Sequence, residues 1–144
     1  MKSKKLVSII MALICLISSF SFAVNAIDKD NAETRASGLI YQFNLEISKE
    51  TNTILSIEGL TDCDPVVVKC GFKNLMVQRR VNISSSWSDF YDYGNLYLDD
   101  SYYALGKYLP VDPGYQYRVT CKHYAKKNAL NIQTISNTSN IVTF

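Results

Sequence analysis

One histidine, His123, stands in 144 residues, so chemistry that needs several imidazoles is excluded. Multi-histidine metal sites and most histidine-relayed catalysis fall with it. The sequence has only three prolines, Pro65, Pro110 and Pro113, each expected at a turn, and six glycines. No repeat, low-complexity tract or convincing amphipathic helix interrupts it. Neither charge dominates: 15 basic residues face 13 acidic ones. Three of the basic residues, Lys2, Lys4 and Lys5, crowd the N-terminus, and the remainder is close to neutral. A nucleic-acid partner is therefore not expected, because it would call for a basic stripe.

The one long apolar run, Leu6 to Ile17, follows the basic Met1–Lys5 and precedes a polar stretch ending in small residues, with Val24 and Ala26 placed for cleavage. This order predicts a signal peptide over residues 1–26 and a secreted, extracellular product without stable membrane insertion. Cys15 belongs to the signal core, because Ile14 before it is too large for a lipid-attachment site. Residues 27–38 are polar and read as a flexible leader. Residues 39–144 then form one domain of ordinary size.

Period-2 alternation dominates that domain. Tyr41, Phe43, Leu45 and Ile47 share one face of a strand; Gln42, Asn44, Glu46 and Ser48 share the other. Lys49 to Asn52 reads as a hairpin loop, with Thr53, Leu55 and Ile57 returning. Val66, Val68, Cys70 and Phe72 alternate again, and the phase shift at Leu75 predicts a bulge at Gly71 or Asn74. Ser84 to Ser86 reads as a loop, and the run Trp87 to Asn95 as loop-rich. Leu96 and Leu98 mark one short strand, Tyr103 and Leu105 another. Tyr115, Tyr117, Val119 and Cys121 face one way on a clear strand, which Leu130 and Ile132 answer after a loop at Ala125 to Asn128. Ile141 to Phe144 resumes that return strand after a polar break at Ser136 to Asn140. The expected fold is an all-β antiparallel sandwich, fibronectin type III-like or immunoglobulin-like.

The segment Pro113-Gly114-Tyr115-Gln116-Tyr117-Arg118-Val119-Thr120-Cys121 resembles the corner and sixth strand of a fibronectin type III domain. The resemblance implies that Tyr117 is the corner tyrosine and Val119 the next core residue. Tyr115 replaces the usual threonine, and Trp87 lies too late for the family's tryptophan. More of the chain resembles a group of small, secreted, uncharacterised proteins of Gram-positive bacteria. They share a Gln-Arg/Lys-x…Ser-Trp segment (Gln78-Arg79-Arg80…Ser86-Trp87) and a Gly-Tyr-x-Tyr-Arg-Val…His strand (Gly114 to Val119, then His123). The group implies export but no activity.

Beyond Cys15, the cysteines are Cys63, Cys70 and Cys121. Three single bridges are open: 63–70, 63–121 and 70–121. Cys70 and Cys121 both sit on apolar strand faces, so a disulfide between them is the expected pairing, contributing roughly 2–4 kcal/mol. The alternative is buried free thiols. Cys63, in its acidic turn, is expected to be exposed. Cys121 and His123 share a strand face, but no third group or oxyanion pattern accompanies them. Glu46, Glu50 and Glu58 flank the first hairpin, and solvated carboxylates are expected there rather than a glycosidase pair. Asp89, Asp92, Asp99 and Asp100 lack the spacing of a calcium loop. No cofactor, metal site or enzymatic activity is expected.

The strongest functional signal is aromatic. Of ten tyrosines, all but Tyr41 lie between Tyr91 and Tyr124. Trp87, Phe90, Tyr91, Tyr93 and Tyr97 are the expected ligand surface, since exposed rings beside carboxylates stack on sugars or anchor proteins. The expected function is a secreted, non-catalytic binding module acting on a protein or glycan at the cell surface or in the medium. A small carbohydrate-binding protein and a bacteriocin-like effector are the alternatives.

Overall fold

The computed structural model describes residues 38–144, and every regular element among them is a strand. The expected signal peptide and the leader up to residue 37 lie outside the described residues. Eight strands follow in order: β1 Ile40–Thr51, β2 Ile54–Cys63, β3 Lys69–Arg80, β4 Ser88–Leu98, β5 Tyr102–Pro110, β6 Gln116–Lys126, β7 Ile132–Thr138 and β8 Val142–Thr143. They build two antiparallel sheets. One has the order β1-β2-β5; the other runs β4-β3-β6-β7, with β8 also pairing β6. The alternating apolar positions of both sheets meet in a core of Leu45, Ile47, Leu55, Ile57, Phe72, Leu75, Val77, Leu105, Tyr117 and Val119. A second cluster, Ile40, Cys63, Val67, Cys70 and Ala125, fills one end. The chain is thus an antiparallel β-sandwich.

Tyr117 is buried, and its hydroxyl closes a loop. It accepts the Asp112 N–H and donates to the Asp112 carbonyl, both at 3.0 Å. The bulge in β3 falls where the phase shift places it. The register slips between Lys73 and Met76, and Asn74 takes the left-handed conformation (φ 53°). The Asn95 side chain accepts the freed Asn74 N–H at 3.0 Å. The break before β8 also has a use. Asn140 donates to the Ile47 carbonyl (2.8 Å) and accepts the Ile47 N–H (2.9 Å), so a side chain stands in for a neighbouring strand on the β1 edge.

Four expectations need correction. Trp87 to Asn95 is not loop-rich: from Ser88 it is continuous strand, because β3 supplies a ladder that local composition does not reveal. Pro110 is the last residue of β5, paired with Ile54, rather than a turn residue. Cys63 is buried, not exposed, since the end cluster closes over it. Cys70 and Cys121 do not pair. All three described cysteines are free thiols, and Cys70 sits opposite Ala125 on β6. Cys121 lies four residues along β6 from that point, about 13 Å away at the strand rise. Disulfide geometry tolerates about 7 Å between Cα atoms.

Candidate functional site

The five aromatic residues expected to form one surface do not form it. Phe90 and Tyr93 turn inward and pack against the core. Phe90 meets Tyr117 edge-on with centroids 5.4 Å apart. Tyr97 leans on Tyr124 at 4.8 Å. Trp87 is half-buried, and the guanidinium groups of Arg80 and Arg118 each lie 4.4 Å from its ring. Both cations are held in place: Arg80 Nε donates to Gln116 Oε1 (2.8 Å) and Arg118 Nε to Gln78 Oε1 (2.9 Å). Of the five, only Tyr91 is largely exposed, and it contacts Tyr93 at 4.7 Å. The register explains the dispersal. Alternation and a bulge in β4 send neighbouring rings to different faces.

The open aromatic surface lies elsewhere. On β5, Tyr103, Leu105 and Leu109 point toward the core, so Tyr102, Ala104, Gly106 and Tyr108 share the outer face. Tyr102 is 51% and Tyr108 66% exposed. The two small residues between them leave a trough of about 490 Å³. Its floor and wall come from Asn44, Ser56, Glu58 and Leu60. Cross-strand register sets the rows: Tyr108 opposite Ser56, Gly106 opposite Glu58, Ala104 opposite Leu60, Tyr102 opposite Asp62. One strand further, Glu58 stands opposite Glu46. The two tyrosines are six residues apart, roughly 20 Å at the strand rise. The site therefore suits an extended ligand, with ring faces at both ends and hydroxyl, amide and carboxylate groups between. The sequence carried the signal as Tyr-x-Ala-x-Gly-x-Tyr, a period-2 pattern with small residues between two rings.

The other expected groups are placed as follows. His123 is fully buried between Phe43 and Phe72. The Thr61 hydroxyl donates its one proton to the Gly71 carbonyl (3.2 Å), so His123 Nδ1–H donates to Thr61 Oγ1 (2.8 Å). That leaves Nε2 as acceptor from Asn137 Nδ2, at 3.2 Å. Both ring nitrogens are thus taken by groups other than Cys121. Burial pushes the Cys121 thiol up to about 12 and the His123 imidazole down to about 4. The four aspartates are dispersed: Asp89 accepts from Gln78, Asp92 from the Gly94 N–H, Asp100 from the Ser101 N–H, and Asp99 pairs with Lys69. Among the described residues no three His, Cys, Asp or Glu side chains converge as a metal site. Nor is any helix there long and apolar enough to cross a membrane.

No protein-family model matches the chain, and no curated protein does. Among solved structures, the chain is similar to a protein from Archaeoglobus fulgidus known by its crystal structure. The identity is 10%, and the match covers 73% of this chain and 97% of the other, with a TM-score of 0.35.

Proposed function

We propose that this protein is an exported, non-catalytic binding module, and that it holds a carbohydrate chain in the trough between Tyr102 and Tyr108. The observation that carries this reading is the pair of exposed rings flanking Ala104 and Gly106. Ring faces stack on the C–H faces of sugars. Ser56, Glu58 and Asn44 offer the hydrogen-bonding groups that orient hydroxyls. The basic, apolar and small-residue order of Met1 to Ala26 supports export. The strand orders β1-β2-β5 and β4-β3-β6-β7, together with the Tyr117 loop closure, support a fibronectin type III-like arrangement of the scaffold.

The test is retention of the full chain on insoluble polysaccharides and cell walls, beside two variants. Tyr108→Ala removes a ring from the rim. Gly106→Leu fills the trough from a position where a Cβ meets no atom within 4 Å. Both are expected to lose at least tenfold in retention and to keep the wild-type melting temperature. Retention of both variants at the wild-type level overturns the reading.

A further inference from the structure

Cys63 ends β2 and Cys70 is the second residue of β3, so the two thiols sit where the chain crosses from one sheet to the other. They share the buried end cluster with Ile40, Val67 and Ala125. The loop between them is compact: the Val67 N–H donates to the Asp64 carbonyl at 2.9 Å. Each end is also fixed. The Cys63 N–H donates to the Ser101 carbonyl (2.9 Å), and Cys70 Sγ lies 3.9 Å from the Thr61 carbonyl, two residues before Cys63. Both side chains are buried in this one cluster. Cys121 belongs to the other cluster, which holds no second cysteine among the described residues.

We propose that Cys63 and Cys70 are a disulfide-forming pair that staples the two sheets at this end, and that Cys121 remains a free thiol. The oxidant is a low-molecular-weight disulfide. One cysteine thiolate attacks it, forming a mixed disulfide and expelling the first small thiolate. The second cysteine then attacks the protein sulfur of that mixed disulfide and expels the second small thiolate. The protein loses two electrons and two protons, and the small disulfide becomes two thiols. Burial pushes the Cys63 thiol up to about 12 and the Cys70 thiol to about 11, so the folded, reduced pair scarcely ionises. The bond therefore forms as the ends of β2 and β3 close during folding, and burial protects it afterwards.

Lys69, immediately before Cys70, makes the test direct. The full chain is reduced, unfolded, refolded with glutathione disulfide, alkylated and digested with trypsin without reduction. Cleavage after Lys69 separates the two cysteines, so only a disulfide keeps residues 50–69 joined to residues 70–73. The expected result is that joined peptide, with Cys121 alkylated, and the same joined peptide in Cys121→Ser. Cys63 and Cys70 both alkylated, or a peptide linking either of them to Cys121, overturns the proposal.

Discussion

The ionisation of His123 couples folding to pH. Its ring is buried between Phe43 and Phe72, and its nitrogens face Thr61 and Asn137. Burial lowers its pKa from 6.5 to about 4. As the pH falls, the unfolded chain takes up the proton first, which favours unfolding. The stability held by the neutral ring is complete above about pH 6.5 and is lost as the pH falls through the folded value near 4. A shift of this size corresponds to ~3 kcal/mol. Denaturant titrations at pH 7, 5 and 4 should show that loss. The imidazole proton resonances, unambiguous in a chain with one histidine, should stay close to the neutral position down to about pH 5 in the folded protein.

At the scale of the element, β3 and β4 depend on two local devices. Gly71 has φ 148°, and a Cβ there would stand 2.1 Å from the Leu96 carbonyl oxygen. That neighbour is backbone and has no rotamer to change. Gly71→Ala is expected to cost about 2–4 kcal/mol, read from the denaturant midpoint, because β4 must move off β3. Trp87 is the second device. With Arg80 and Arg118 against its ring, it joins β3 and β6 to the start of β4. Each such contact is worth ~0.5–1 kcal/mol at a partly exposed site. Trp87→Ala should therefore lower stability by about 1–2 kcal/mol and leave polysaccharide retention unchanged. Loss of retention with unchanged stability would move the ligand surface back to β4.

At the scale of the whole molecule, the two sides of the sandwich close differently. On one side Asn140 grips Ile47, and Gln133 Oε1 accepts the N–H groups of Leu39 and Ile40. The β1 edge is thereby covered by side chains from the other sheet, one way of blunting an unpaired edge. On the other side β4 and β5 are both outermost strands. Hydrogen exchange should reflect this. Amides of β2, β3 and β6, each paired on both sides, should exchange slowest. The Ile47 amide should be protected despite its edge position. In Asn140→Ala that one amide should exchange at least tenfold faster while β3 and β6 change little.

Much of this architecture was legible in the sequence. Alternation identified β1, β2, β6 and the Cys70–Phe72 part of β3, because one face of each strand had to be apolar; Val66 and Val68 are instead exposed ahead of β3. The phase shift at Leu75 located the bulge, and the Tyr117 segment announced the closed corner. Those signals are local: a strand's inward face and a turn's conformational demand are written in adjacent residues. Three things were not local, and only the tertiary structure decided them. Partner β3 turned an aromatic, acidic stretch into β4. Strand register kept Cys70 from Cys121, and the packing of one sheet on the other put it in the same buried cluster as Cys63. The order of the β1-β2-β5 sheet placed Ser56 and Glu58 opposite Tyr108 and Gly106, making a trough from residues about fifty positions apart. Cross-strand neighbours depend on which strands pair and in what register, and no short window of sequence contains both partners.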